Sequence, residues 1–179
     1  NVVEVGGVRT LFRMPDLLAI GLGGGSVVRE LNDGRVAIGP DSVGYKLTDE
    51  ALVFGGNTLT TTDVAVAAGR ADIGDRARVR HLSAGLVKRA LDEMQRLLEG
   101  AIDRVKTSAE PVPVVLVGGG AVLIGDTLAG ASRVVRPEQA GCANAIGASI
   151  AQVSGEFDSI LTYSENGRAA ALEGARQAA

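Results

Sequence analysis

Two clusters of consecutive glycines are the residues of this chain whose type and spacing could perform chemistry. The first cluster follows a short apolar run and precedes a serine, and the second follows a β-branched run. Because glycine has no Cβ, its backbone amide can approach an anion closely, and a serine hydroxyl adds a donor. The first cluster could therefore bind phosphate, or it could be a strained turn between two strands. The clusters are Gly23, Gly24 and Gly25 with Ser26, and Gly118, Gly119 and Gly120.

Common nucleotide-binding fingerprints do not fit either cluster. The spacing from Gly21 through Gly23 to Ser26 is close to G-x-G-x-x-G, but that fingerprint requires a following helix, and a strand and hairpin are predicted here. Neither cluster leads to the Gly-Lys-Ser/Thr of a P-loop. Both clusters are predicted to end strands of one sheet, and ligands in α/β folds bind beyond strand ends. We therefore expect the two clusters to lie side by side and to hold two ends of a nucleotide.

The other reactive side chains are better explained by structure, and the sequence assigns neither a catalytic residue nor a metal ligand. Asp63 follows three threonines and is predicted to be a helix N-cap, with a metal or substrate role as the alternative. His81 is predicted to be solvated, Cys142 to be a buried small hydrophobe, and Asp16 to be a turn residue. With one cysteine and one histidine in the chain, we exclude a disulfide framework and a cysteine-based zinc site.

The pattern of apolar residues predicts an α/β fold. A buried strand is expected at 17–22, a hairpin follows with its turn at 32–34, and an amphipathic helix spans 83–106. Two later strands, 114–117 and 132–135, are predicted to be parallel because a short helix over 121–130 connects them. This is the order of an RNase-H-like domain with a mixed five-stranded sheet, three strands antiparallel and then two parallel, flanked by helices.

The domain is predicted to span residues 1–155, with a long loop or insertion at about 40–62. A small-residue helix over 142–153 is predicted to pack closely against a neighbouring element. Residues 156–179 form a tail that is predicted to be weakly helical or partly disordered.

Composition and charge exclude some classes of partner. The 179 residues carry a formal net charge of −3 and few aromatic side chains, so we expect no nucleic-acid partner. No apolar run is long enough to cross a bilayer, and no signal peptide is visible, so the predicted location is cytoplasmic.

Three segments carry a resemblance to a known superfamily. Leu17–Ser26 resembles the second phosphate motif of the acetate and sugar kinases, heat-shock chaperones and actin. Val114–Gly120 resembles the adenosine motif of these proteins, and Pro137–Ala148 resembles the helix that follows it at a domain junction. Among the members, the chain is most similar to the hydantoinase A and 5-oxoprolinase family, over roughly residues 1–155. The segments 12–16, 38–44 and 61–63 add to that similarity.

The resemblance implies ATP-dependent opening of a small cyclic amide or imide, with phosphorylation of the amide oxygen before hydrolysis. It implies that Gly23, Gly24, Gly25 and Ser26 hold the β- and γ-phosphates through backbone amides. It further implies that Gly118, Gly119 and Gly120 let adenosine lie against the backbone, with Mg²⁺ accompanying the ATP. Relatives in the family are subunits of ATP-dependent ketone carboxylases, and a lobe of such a subunit is the first alternative.

Two departures from the superfamily pattern limit what this chain can do alone. Gly21 stands where chaperones and actins usually carry an acidic residue, which favours the hydantoinases over a non-catalytic chaperone-like or actin-like module. The first phosphate motif of the superfamily, an Asp-Gly-Gly-Thr-like hairpin, is missing from the sequence. The chain is therefore expected to be one lobe of a larger enzyme, inactive without an N-terminal lobe. Apolar surface exposed by the absence of that partner predicts self-association. The remaining alternative is a glycine-rich structural domain that binds nothing.

Overall fold

The computed structural model describes residues 3–5, 8–10, 17–151, 160 and 167–178. Asp16, the segment 12–16 and the last two residues of the helix predicted over 142–153 lie outside the described residues. The strands are β1 (Val3–Val5), β2 (Val8–Thr10), β3 (Ser26–Glu30), β4 (Val36–Ser42), β5 (Val112–Val115) and β6 (Ala131–Val135). The helices are α1 (Leu47–Glu50), α2 (Thr61–Ala67), α3 (Ala84–Val105), α4 (Ala143–Ile150) and α5 (Gly167–Ala178).

The described strands form three separate two-stranded sheets, so the predicted five-stranded mixed sheet is wrong. β1 pairs with β2 and β3 with β4, both antiparallel, while β5 pairs with β6 in parallel. The difference arises at 17–22, the expected first strand. These residues alternate between exposed and half-buried, and Leu17 is 74% exposed, but they form no ladder. Without that strand, no hydrogen-bonded ladder joins the β3–β4 hairpin to the β5–β6 pair.

The predicted hairpin is confirmed, and its turn explains why it forms. Gly34 has φ of +78°, a left-handed conformation that glycine adopts without strain. Its N–H donates to the Leu31 carbonyl at 2.9 Å, and the Leu31 N–H donates to the Arg35 carbonyl at 2.8 Å. The strands then place Val28 and Val36 in the core, where both are buried.

The predicted long helix is also confirmed, and α3 is the largest element of the core. Ser83 is its N-cap, and the serine Oγ accepts the Leu86 N–H at 3.1 Å. Ala90 and Met94 are completely buried on the apolar face. They pack with residues of the hairpin, of α2 and of the segment 116–128 into one hydrophobic cluster. Burial of this face, rather than helix propensity alone, stabilises α3.

The segment 40–62 is folded, and it differs from the predicted loop. It contains the end of β4, a 3₁₀ turn at Gly44–Lys46, α1 and a second 3₁₀ turn at Leu52–Phe54. Ala51 and Val53 from this segment form a second hydrophobic cluster with Val66 of α2 and Val79. The segment was predicted to be a loop because most of its residues are polar or glycine. Its few apolar residues are nevertheless enough to form this small core.

The chain divides into two compact units, Asn1–Ala143 and Asn144–Ala179. The second unit contains α5 and all of α4 except its first residue, so helix forms in part of the tail that was predicted to be weakly helical or partly disordered. Both glycine clusters and the helix α2 lie in the first unit.

Candidate functional site

The first glycine cluster forms a tight turn, which we call the Gly23–Ser26 turn. The Ser26 side chain is buried in it, accepts the Gly23 N–H at 2.9 Å and donates to the Gly21 carbonyl at 3.0 Å. The Ser26 N–H donates to the Gly23 carbonyl at 3.0 Å. The hydroxyl and amide of Ser26 and the amide of Gly23 are therefore occupied within the turn itself.

Residues at the start of α2 hold the carbonyl groups of the turn. The Thr61 hydroxyl donates to the Gly23 carbonyl. Thr62 donates to the Gly24 carbonyl twice, from its N–H at 3.0 Å and from its hydroxyl at 2.9 Å. Both threonine side chains are buried, so the turn is fixed to α2 by groups that are shielded from water.

This anchoring determines where the remaining amides point. In a trans peptide unit the C=O and the N–H of the next residue point in opposite directions. Because the carbonyls of Gly23 and Gly24 are held against α2, the N–H groups of Gly24 and Gly25 point away from it. Among the described residues, neither of these two amides has an acceptor. The turn thus presents two adjacent N–H donors, the arrangement that binds an anion.

Close contacts require glycine at two of the three positions of the turn. A Cβ on Gly24 would lie 2.9 Å from the Thr62 Oγ1, and a Cβ on Gly25 would lie 2.9 Å from the Ser42 Oγ. A Cβ on Gly23 would meet nothing within 4 Å. Close approach within the protein explains the second and third glycines, whereas the first leaves open space at the surface of the turn.

Asp63 is a structural residue, and its predicted position as N-cap is wrong. The N-cap of α2 is Thr60, and Asp63 is the third helical residue of a capping box. The Asp63 carboxylate is fully buried and accepts the N–H of Val53 at 2.8 Å and that of Thr60 at 2.7 Å. It also accepts the Thr60 hydroxyl at 2.8 Å. With these bonds made inside the protein, the geometry does not support the alternative role as metal or substrate ligand.

The threonines of α2 are the residues that the sequence analysis missed as parts of the site. Their signal was present in the Thr-x-x-Asp spacing of a capping box, which begins at Thr60 and places Thr61 and Thr62 in the first helical turn. Such a box locates the helix start, but spacing alone does not show that its hydroxyls bond to a turn 38 residues earlier in the chain.

The second glycine cluster begins a 3₁₀ turn at Gly119–Leu123, with Gly118 immediately before it, and this turn replaces the helix predicted over 121–130. Gly118 has φ of +81°, and its N–H donates to the Ala140 carbonyl at 2.7 Å. Gly119 and Gly120 are exposed, and a Cβ on either would meet nothing within 4 Å. Contacts with the described residues therefore do not explain why these two positions are glycine, and the backbone there is open to a ligand.

The helix α2 contacts both glycine segments. Its first residues hold the Gly23–Ser26 turn, and it packs against the 3₁₀ turn that begins at Gly119. Just beyond its end, the Arg70 guanidinium donates to the Leu123 carbonyl at 2.9 Å. The predicted position of both clusters on the rim of one sheet is wrong, because the described strands form no common sheet. The element that links them is this short helix, and binding of one nucleotide by both stays a prediction.

Neither of the other two candidate side chains, those of His81 and Cys142, forms a hydrogen bond with the glycine segments among the described residues. His81 is an exposed turn residue before α3. Cys142 is exposed, which corrects its predicted burial: it ends a 3₁₀ turn before α4 instead of lying within the helix. Within the described ranges, no group of three or more His, Cys, Asp or Glu side chains could hold a metal ion. No helix in the same ranges has the length and hydropathy needed to cross a bilayer.

Comparison with known proteins gives one match. Residues 1–75 match the family described as hydantoinase/oxoprolinase. The match includes the Gly23–Ser26 turn and the start of α2, and it ends before the second glycine cluster. No curated protein and no solved structure matches the chain. The similarity to the hydantoinase and oxoprolinase family is thus confirmed over residues 1–75, and it supports a hydrolase function related to that family.

Proposed function

We propose, from the match of residues 1–75 to the hydantoinase/oxoprolinase family, that this chain supplies a nucleotide-binding part of an ATP-dependent cyclic amide hydrolase. The observation that carries the proposal is the pair of unoccupied donors in the Gly23–Ser26 turn. The N–H groups of Gly24 and Gly25 point away from α2 and have no acceptor among the described residues. Two adjacent backbone donors on an anchored turn suit the oxygens of a phosphate group.

The anchoring by α2 supports a positioning role. Phosphoryl transfer depends mainly on alignment of the reacting groups and on stabilisation of charge, so the turn must not move when a phosphate binds. Thr61 and Thr62, whose side chains are buried, supply this rigidity through hydrogen bonds to the two carbonyls. The Ser26 hydroxyl contributes from within, since it ties Gly21 to Gly23. In this proposal Ser26 shapes the turn and does not donate to the phosphate.

The second glycine segment is proposed to accept the adenosine. Gly119 and Gly120 are exposed and have open space where a side chain would be, so a flat ring system can lie against the backbone. Gly118 is needed for the bend itself, because its φ of +81° is strained for any other residue. The three glycines thus divide into one that makes the bend and two that leave room.

When bound, ATP would supply the phosphoryl group that turns an amide oxygen into a better leaving group. The residues of this chain bind and orient that nucleotide, and the groups that act on the cyclic amide are assigned to an N-terminal lobe. Mg²⁺ is proposed to enter with the phosphates of the nucleotide, as it does in many phosphate-handling sites.

The test is calorimetric titration of the chain with ATP and Mg²⁺. Gly120→Val adds a side chain to the open segment, and we expect it to abolish detectable ATP binding without changing the unfolding midpoint. The matched control is Gly100→Val, on an exposed position of α3 that also has no neighbour within 4 Å. The control should bind ATP like the wild type. Equal affinities of the two variants, or no binding by the wild type, would contradict the proposal.

A further inference from the structure

A cavity outside the glycine segments has the character of a small-molecule site. It has a volume of about 420 Å³ and lies between the end of α2, the 3₁₀ turn at Arg76–Val79 and the first turns of α3. Apolar side chains, including Leu82, Val87 and Leu91, form most of its wall. The volume falls within the range of known ligand pockets. No residue of either glycine segment lines it, so it is separate from the proposed nucleotide site.

The charged side chains around this cavity are all cationic. Arg76, Arg80 and Lys88 line it, and no acidic residue does. The Lys88 ammonium pairs with the Asp92 carboxylate at 2.6 Å, which balances that charge. Within the part of the chain that the structure describes, neither arginine forms an ion pair. Two guanidinium groups thus line an apolar cavity and have no described carboxylate within ion-pair distance.

The nearest acid along the chain is occupied elsewhere. Asp75 immediately precedes Arg76, but its carboxylate caps the 3₁₀ turn by accepting the Ala77 N–H at 2.9 Å. The other carboxylate oxygen of Asp75 lies 3.6 Å from the Nε of Arg78. Arg78 does not line the cavity. Asp75 is therefore engaged with the backbone and with a different arginine, and it forms no ion pair with Arg76 or Arg80.

We propose that this cavity binds a small amphipathic anion, an apolar body that carries one carboxylate or phosphate group. The apolar body would lie on Leu82, Val87 and Leu91, and the anionic group would pair with Arg76 and Arg80. Guanidinium groups form two parallel hydrogen bonds to either kind of oxyanion, which gives direction as well as attraction. This inference concerns a second site and does not rest on the proposed nucleotide binding.

The test is calorimetric titration of the chain with four probes of equal apolar length: hexanoate, hexyl phosphate, hexanamide and hexylamine. We expect one molecule of hexanoate or hexyl phosphate to bind per chain, and the neutral and cationic probes to bind at least tenfold more weakly. The tighter of the two anions identifies the head group that the site prefers. Binding of all four probes with one affinity, or of neither anion, would overturn the proposal.

Variants locate the site. Arg76→Gln combined with Arg80→Gln is expected to weaken anion binding at least tenfold, because charge-assisted hydrogen bonds are lost. The matched control combines Arg104→Gln with Arg133→Gln, two exposed arginines that do not line the cavity. Ala84→Leu fills the cavity from its wall while keeping both arginines, and it should also weaken binding. Wild-type affinity in the cavity-filling variant, or in a folded double variant, would place the anion elsewhere and refute the assignment.

Discussion

Thr62 donates two hydrogen bonds to a single atom, the carbonyl oxygen of Gly24. The backbone N–H lies 3.0 Å from that oxygen and the hydroxyl 2.9 Å. A carbonyl oxygen has two lone pairs, so this one is fully used. Because the peptide unit is planar, fixing this carbonyl also fixes the direction of the Gly25 N–H. The side chain of one buried threonine thus controls a donor of the candidate site that it does not touch.

Thr62→Val removes the hydroxyl and keeps the shape of the side chain. We expect the free energy of unfolding to fall by about 1 kcal/mol, the net value of one hydrogen bond. We also expect ATP affinity to fall by about tenfold, because the Gly25 N–H loses part of its orientation. Urea unfolding and calorimetry measure the two effects. Thr62→Ser retains the donor and should restore both, and a valine variant with wild-type stability would show that the hydroxyl bond contributes nothing.

Asp63→Ala leaves three buried donors without an acceptor: the N–H groups of Val53 and Thr60 and the Thr60 hydroxyl. Each unsatisfied buried group costs about 1–3 kcal/mol, so we expect a loss of at least about 3 kcal/mol. The measurement is urea unfolding followed by circular dichroism. Asp103→Ala, on the exposed face of α3, is the control and should cost less than about 0.5 kcal/mol. A loss as small as that of the control would mean that the hydrogen bonds of Asp63 contribute little to the free energy of unfolding.

The sequence predicts some of these elements because their signals are local. Helix α3 follows from apolar spacing that one amphipathic helix must bury, and the β3–β4 hairpin follows from a turn in which Gly34 adopts positive φ. The five-stranded sheet fails because the apolar run 17–22 shows only that the segment is partly covered. Apolar character does not tell which backbone groups will pair, and here no ladder forms.

The sequence predicts which glycines form the candidate site, but it does not predict the hydrogen bonds that hold them in place. The consecutive glycines of the Gly23–Ser26 turn pointed to an anion-binding backbone. The sequence could not show that the Ser26 hydroxyl forms its hydrogen bonds within the turn, because this depends on the exact backbone conformation. It also could not show that Thr62 anchors the turn, because the two segments are 38 residues apart in the chain. For the same reason Cys142 was placed in the interior: a small-residue context favours burial, while exposure depends on where the helix begins.

The hydrogen bonds of Glu99 predict that the stability of the domain depends on pH in the acid range. The Ala129 N–H and the Gln95 side-chain amide each donate to its carboxylate at 2.9 Å, and these bonds lower the pKa of Glu99. Because the pKa of Glu99 is lower in the folded than in the unfolded state, the ionised carboxylate stabilises the fold at pH values above the unfolded-state pKa, about 4.3. This stabilisation is lost as the pH falls through the folded-state pKa.

Glu99→Gln should therefore destabilise the domain at pH 7 and have a smaller effect at pH 3. The measurement is the urea midpoint of the variant and of the wild type at both pH values. Glu138→Gln is the control, because Glu138 is exposed. We expect the difference in urea midpoint between this variant and the wild type to be the same at pH 7 and at pH 3. If the Glu99 variant differs from the wild type by the same amount at both pH values, the hydrogen-bonded carboxylate is not the source of the acid sensitivity.

Gly24→Ala tests whether glycine is needed at this position by the protein itself. Its φ lies outside the left-handed region, so alanine meets no backbone strain there, but the new Cβ would lie 2.9 Å from the Thr62 Oγ1. Since that hydroxyl is buried and hydrogen-bonded, it cannot move away freely, and we expect a loss of about 1–3 kcal/mol. Gly23→Ala, with no neighbour within 4 Å, is the matched control and should be close to neutral.

A double-mutant cycle separates this contact from a general intolerance of side chains in the turn. In a Thr62→Ala background the Oγ1 is absent, so Gly24→Ala should cost less than it does in the wild type, with a coupling of about 1 kcal/mol. Equal costs in the two backgrounds would mean that the alanine at position 24 is opposed by something other than Thr62. A full coupling would establish that Gly24 is glycine because its backbone lies against the Thr62 side chain that anchors the turn.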